Sequence, residues 1–285
     1  MPTFEEEKAD GPDKQVTKLV YVGHSRSGKT GSLASLAAAG YNVRVLDLDR
    51  KVDVLRDYVL NKEKSPYRRA CAGLWTQEQA DTIAKRVSYV QLDETQVRLR
   101  ESLVPKGDLW GKISLQLADW KDGTRSLGNV ETWTPRDVLA IDGLSRLSMA
   151  AFTNVLALNG RLLSKPEWSD YGQTQAMVKR LMELLANKSL NCNVIIIAHI
   201  DFIETEGGPT KGFPQTVGAK LSPKISQDFS HAIMAKLSGQ GDKEKRVIIT
   251  QSSGNVDLGS AAPLRVKPEY DLSTGLAEYF RDIRQ

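Results

Sequence analysis

Lys18-Leu19-Val20-Tyr21-Val22-Gly23-His24-Ser25-Arg26-Ser27-Gly28-Lys29-Thr30-Gly31 joins an unbroken apolar run to a glycine-bounded loop and then to a helix-forming segment. The run 19–22 ends in glycine and reads as a strand buried on both faces. Residues 28–39 are rich in Ala, Leu and Ser and stop at Gly40, a helix C-terminal signal. Between them lies the spacing Gly-x4-Gly-Lys-Thr, which suits a phosphate-cradling loop in this strand–loop–helix setting. Glycines let backbone amides close around phosphates, and the helix N-terminus adds its positive end. Gly23, His24, Ser25, Arg26, Ser27, Gly28, Lys29, Thr30 and Gly31 are therefore the expected nucleotide-binding stretch. Lys29 would reach between the β- and γ-phosphates of ATP, and the Thr30 hydroxyl would ligate Mg²⁺.

Further along, a second buried strand is expected at 43–46, ending in Asp47-Leu48-Asp49, and a third at 87–92. A helix capped by Thr76, with Gln79 completing a capping box, would run to Arg86. Residues 138–142 make a fourth strand ending in Asp142, and 193–198 a fifth followed by His199. From Tyr171 to Ala186 the chain reads as an amphipathic helix with Met177, Val178, Leu181, Leu184 and Leu185 on one face. Two more strands are expected at 231–237 and 246–251. Strands separated by helices predict an α/β fold with a mainly parallel central sheet, right-handed crossovers and flanking helices.

The charged residues 1–16 are expected to form a mobile tail, with docking on a neighbouring subunit as the alternative, and 17–285 an ATPase core. Residues 94–134, with Trp110, Trp120 and Trp133, fit a helical or hairpin insertion. After His199 comes a loop of about twenty residues carrying Gly207-Gly208-Pro209 and Gly212-Phe213-Pro214. The length of 285 residues, 40% hydrophobic and 26% charged, suits a globular chain with a full core. No apolar run approaches a membrane span and the N-terminus lacks a signal pattern, so a cytoplasmic location is expected. Cys71 and Cys192 are far apart with no histidine cluster near either, which argues for reduced thiols. A net charge of +4 neither requires nor excludes nucleic acid.

The candidate catalytic residues are Lys29, Asp49, Asp142 and His199. Asp142 ends an apolar strand and would share the Mg²⁺ site with Thr30; its other reading is a strand-end turn before Gly143. Asp49 would orient or deprotonate the attacking water, or else cap a helix beginning near Lys51. His199, at the carboxyl edge of the sheet, would sense hydrolysis, or be a hydrogen-bonded structural histidine. Lys211, Lys220 and Lys224 could neutralise the phosphates of single-stranded DNA while Phe213 stacks on a base, although Glu204 and Glu206 share that loop. Arg98, Arg100, Lys106 and Lys112 form a second, weaker basic cluster.

Over most of 18–252 these segments resemble the RecA-like recombinase core, and within it the phage-type single-strand-annealing ATPases. Leu46-Asp47-Leu48-Asp49-Arg50-Lys51 looks like the strand carrying the family's catalytic glutamate. Residues 137–147, Asp-Val-Leu-Ala-Ile-Asp-Gly-Leu-Ser-Arg-Leu, resemble its second nucleotide motif, and Ile196-Ile197-Ala198-His199-Ile200 its polar switch strand. Val217 to Ile225 is similar to the segment after the DNA-touching loop, and Trp168-Ser169-Asp170-Tyr171-Gly172 to a short pattern of the phage ATPases. The resemblance implies a RecA-like P-loop NTPase with DNA-stimulated ATP hydrolysis in a homo-oligomer, filament or ring. It departs near Thr250, where Gln251-Ser252-Ser253 stands in place of a lysine pair; Lys243, Lys245 and Arg246 are nearby substitutes. An oligomeric helicase or packaging motor on the same core, and a non-DNA P-loop kinase, are the alternative functions. A GTPase would need an Asn-Lys-x-Asp motif, which Asn61-Lys62-Glu63-Lys64 does not supply.

Overall fold

The computed structural model describes residues 16–50, 55, 76–99, 101–123, 125–204, 208–218, 220–239, 245–252 and 254–285. Residues 1–15, Cys71, Arg100, Glu206, Gly207, Lys243, Ser253 and the 61–64 segment lie outside them, as does the Gln79 side chain.

Among the described residues nine strands join one sheet. Its backbone is a parallel array of β12 (His231–Ser238), β1 (Lys18–Gly23), β9 (Asn193–Ala198), β8 (Asp137–Asp142), β2 (Asn42–Asp47) and β3 (Val87–Gln91), in that spatial order. β13 (Lys245–Ile249), β14 (Gly259–Ser260) and β15 (Glu269–Asp271) extend it antiparallel beyond β12. The central strands β1, β9 and β8 are apolar between their ends because both faces are covered, whereas β2 carries Arg44 and β3 Ser88. Leu19, Tyr21, Val43, Val45, Ile195 and Ile197 point to one core, and Val20, Val22, Leu139, Ile141, Val194 and Ile196 to the other. Fully burying one such side chain stabilises the fold by roughly 2 kcal/mol.

Helices α1 (Lys29–Ala38), α2 (Gln77–Arg86) and α7 (Gly275–Asp282) pack on the first face, with Leu33, Leu36, Ile83, Leu276 and Phe280 buried. Helices α3 (Leu109–Ala118), α4 (Leu144–Leu158) and α5 (Trp168–Ala186) cover the second, and a short α6 (Ser222–Ile225) follows. The insertion is both helix and hairpin: β4 (Gln96–Leu99) with β5 (Ser102–Pro105), then α3, then β6 (Lys121–Asp122) with β7 (Arg125–Ser126). Trp120 ties it to the sheet edge, fully buried, donating its indole N–H to Ser88 Oγ at 3.2 Å and meeting Trp133 edge-on.

Two expectations need correction. On α5, Leu184 is exposed, and the buried stripe is Thr174, Val178, Met182 and Leu185, a spacing of three to four that brings Met182 inward. The segment after His199 is not simply a loop, because β10 (Ile200–Ile203) pairs antiparallel with β11 (Lys211–Pro214). Trp168 to Gly172 opens α5: Asp170, fully buried, accepts from Glu167 N at 2.8 Å and from Arg161 and Asn159 at 2.7 Å, which fixes the helix start.

His231, at the start of β12, is buried, and burial pushes its imidazole down to about 4. Tyr279 Oη lies 2.8 Å from His231 Nδ1, and Ser260 Oγ 3.1 Å from it. The neutral ring belongs to the fold, so unfolding releases a group that takes up a proton near pH 6.5. Stability from this residue is fully present above that pH and falls as pH drops toward 4, by up to about 3 kcal/mol. Thermal melts from pH 8 to pH 5 are expected to show a steeper loss for the wild type than for His231→Gln; parallel curves would remove His231 from the account.

Candidate functional site

β1 ends at the phosphate loop, and the parallel order places β9 between β1 and β8. The carboxyl ends of β1, β9, β8 and β2 therefore open on one edge, where ligands bind in such sheets. A cleft of about 340 Å³ lies there, lined by Ser25, Arg26, Gly28, Lys29, Thr30, Asp49, Asp142, Ile197, Ala198 and His199. Lys29, Thr30, Asp49, Asp142 and His199 come from four separate stretches of sequence and meet only through the sheet.

The loop's shape rests on a few backbone positions and one buried side chain. Gly28 has φ +97°, and a Cβ there would sit 2.3 Å from Leu272 Cδ2, so only glycine fits against the antiparallel end of the sheet. Arg26 adopts φ +63°, a left-handed conformation that costs a non-glycine residue roughly 1 kcal/mol. Lys29 is buried, and its ammonium donates to Gly23 O and His24 O, each at 2.8 Å. Helix α1 begins with no side-chain cap and no acidic residue in its first turn, so its N-terminal end suits an anion.

Asp142 lies at the end of β8, in register with Asp47 of β2. Thr30 Oγ1 donates to Asp142 Oδ2 at 2.5 Å. Burial pushes the Asp142 carboxyl up to about 6, helped by the charges of Asp49 and Asp47 and opposed by the Thr30 bond and by Lys29. A hydroxyl and a crowded carboxylate are hard oxygen donors, and a divalent cation would relieve the repulsion, so this pair fits magnesium. Among the described residues no cluster of three or more His, Cys, Asp or Glu could hold a metal alone, so an ion here would be completed by phosphate oxygens.

Asp49 stands just past β2, its side chain 9% exposed, with Oδ2 3.2 Å from His199 Nε2. Asp47 is fully buried. Gly143, at φ +115°, makes room for this arrangement: a Cβ there would lie 2.8 Å from Asp49 Oδ1. Sequence reading treated Gly143 only as a turn residue, because its neighbour Asp49 is distant along the chain. Two further contacts also depend on folding. The His24 ring stacks on Phe202 of β10, with centroids 6.1 Å apart, linking the phosphate loop to the ribbon β10–β11. Arg246 of β13 packs beside the loop, its Cδ 3.5 Å from where a Gly28 Cβ would be, whereas Lys245 pairs with Glu269 at 2.5 Å.

The expected DNA residues lie elsewhere, and none of them lines this cleft. Phe213 borders a second groove of about 440 Å³ with Pro214, Phe229, Val256 and Leu258. Lys211 pairs with Asp257 at 3.1 Å, and Lys220 and Lys224 are exposed. In the second basic cluster Lys112 is held by Asp108 at 3.2 Å, while Arg98 and Lys106 are exposed.

A family profile described as an AAA domain matches residues 15–260. The chain belongs to the AAA domain family. Its fold is a mainly parallel central sheet flanked by helices. No curated protein matches it in sequence. Among solved structures it is similar to the KaiC-like protein PH0186 from Pyrococcus horikoshii OT3, at 11% identity over 82% of this chain and 77% of that one, with a TM-score of 0.38. It is also similar to the flagellar accessory protein FlaH from Methanocaldococcus jannaschii, at 13% identity over 89% and 83% of the two chains, TM-score 0.40. The RadB recombinase gives 14% identity over 82% and 79%, TM-score 0.41. Among the described residues of this AAA domain no helix is long and apolar enough to cross a membrane.

Proposed function

We propose that this AAA domain is a Mg²⁺-dependent ATPase that acts on single-stranded DNA in recombination or annealing, in the manner of the phage-type annealing ATPases, as a homo-oligomer. One observation carries the ATPase reading: Lys29, Thr30, Asp142, Asp49 and His199 converge on a single cleft at the carboxyl edge of the sheet. The loop amides at the start of α1 and the Lys29 ammonium hold the phosphates. Thr30 and Asp142 would hold a magnesium ion, whose chemistry there would be to neutralise phosphate charge. Asp49 accepts a proton from the attacking water as its oxygen bonds to the γ-phosphorus; the bond to the bridging oxygen breaks, and ADP leaves with the electron pair. His199, in contact with Asp49 and followed directly by β10, carries the change at the γ-phosphate toward the ribbon.

The DNA reading is supported by the resemblance of residues 196–200 to the recombinase switch strand and of residues 217–225 to the segment after the DNA-touching loop. Phe213 at the rim of its groove, with Lys220 and Lys224 exposed, supplies a stacking surface and charge for a single strand. ATP turnover is expected to rise on adding single-stranded DNA, and Lys220→Ala with Lys224→Ala to abolish the rise. The salt slope of DNA affinity should drop by roughly one to two with those two phosphate contacts gone. A turnover rate indifferent to DNA, together with no DNA binding, would leave an ATPase without this partner.

A further inference from the structure

Of the residues lining the nucleotide cleft, Lys29 and Arg26 are the lysine and the arginine, set against the carboxylates of Asp49 and Asp142 with Asp47 buried behind. The Lys29 ammonium is held low in the loop by two backbone carbonyls. Arg26 differs: it is exposed at the crown of the loop and makes no ion pair among the described residues. It also holds φ +63°, and among the described residues only Arg26 and Arg50 adopt a positive φ without being glycine. Arg50 is spoken for by Asp93, at 2.7 Å. A bulky cation in a position suited to glycine, without an ion pair among the described residues and lining the cleft, is a strained feature with a functional reading.

We propose that Arg26 is a catalytic residue of this cleft: its guanidinium binds the terminal phosphate of the nucleoside triphosphate and stabilises the negative charge that grows there and on the bridging oxygen. This rests on the ATPase reading above. As water attacks, the new P–O bond forms on the γ-phosphorus, the bond to the bridging oxygen breaks, ADP keeps the electron pair and Asp49 takes the proton. Arg26 keeps its own proton throughout, because a guanidinium is not deprotonated in a protein. Its fork of donors matches the equatorial oxygens, which Lys29 cannot cover while also bridging to the β-phosphate. The chain would thus carry within its own phosphate loop a cation of the kind that other phosphoryl-transfer sites supply in cis or receive from an activating partner.

Arg26→Asn and Arg26→Gly accept the left-handed backbone but lack the charge, and Arg26→Lys keeps charge without the fork. Both uncharged variants are expected to fold with unchanged or higher melting temperatures. With magnesium present, they should bind ADP within about threefold of the wild type, while ATP turnover falls roughly tenfold to a thousandfold. Arg26→Lys should recover part of the loss. Mixing Arg26→Asn with Lys29→Ala subunits tests the source of the cation: a guanidinium acting within its own chain restores nothing, whereas recovered turnover would show that it acts across an interface and overturn the proposal. Wild-type turnover in Arg26→Asn, or equal loss of ADP and ATP affinity, would overturn it too. A wild-type chain that binds no nucleotide would take the ATPase reading down with it, and is distinguished because Lys29→Ala and Arg26→Asn would then both match the wild type.

Discussion

Lys29→Ala is expected to lose ATP binding by about a thousandfold and to release no phosphate above background, with the fold retained. The ammonium is buried at the mouth of the cleft and already aligned by Gly23 O and His24 O at 2.8 Å, so little reorganisation is needed when phosphate oxygens arrive. Charge-assisted hydrogen bonds are worth roughly 2 kcal/mol each, and two of them to phosphate oxygens account for a loss of about that size. Removing the side chain deprives two loop carbonyls of a donor, but these lie beside the open cleft, where water can replace it. Calorimetric titration with ATP and magnesium, alongside circular dichroism, separates binding from folding. Lys29→Arg sharpens the test, because the planar guanidinium is too large for the space under the loop; it should also fail to turn over although its charge is kept. A Lys29→Ala protein that hydrolyses ATP at the wild-type rate would place the phosphates somewhere other than this loop.

The parallel half of the fold was legible for one physical reason. A strand covered on both faces is apolar over most of its length, so β1, β8 and β9 stand out as short uninterrupted runs, and β2 as a run broken only by Arg44. Asp142, Asp49 and His199 were marked by where those runs stop, since a polar residue at the carboxyl end of a buried strand faces the ligand edge. What could not be read depends on pairing across long sequence separations. The ribbon β10–β11 has strands of four residues flanked by Gly and Pro, too short to show alternation, and its register is set by cross-strand bonds such as Asp201 with Phe213. Helix α4 passed without notice because its buried positions include Ala150, Ala151 and Ser148 while Met149 and Leu158 are exposed, which blurs the apolar stripe. Gly143 carries no local sign that a carboxylate from β2 will lie against its α-carbon, and His24 none that Phe202 will stack on it.

Asp49→Asn separates chemistry from binding. Asp49 lies against Gly143, 3.2 Å from His199, and lines the cleft. Asparagine has nearly the same shape and keeps a carbonyl oxygen toward His199, but it cannot accept a proton from water at neutral pH. Affinity for ATP with magnesium is therefore expected to stay within about threefold, or to improve slightly as one negative charge leaves the phosphate site. Turnover should fall by roughly a hundredfold to ten-thousandfold, the range for losing a positioned general base. If Asp49 instead serves only to cap the chain after β2, asparagine caps almost as well, and the variant would turn over like the wild type. His199→Ala distinguishes the two partners of this contact. A residue that relays the state of the γ-phosphate should, when removed, lower DNA-stimulated turnover by roughly tenfold or more while leaving the slow DNA-free rate to Asp49. Equal loss of both rates in His199→Ala would instead make the histidine a support that holds the Asp49 carboxylate toward the water.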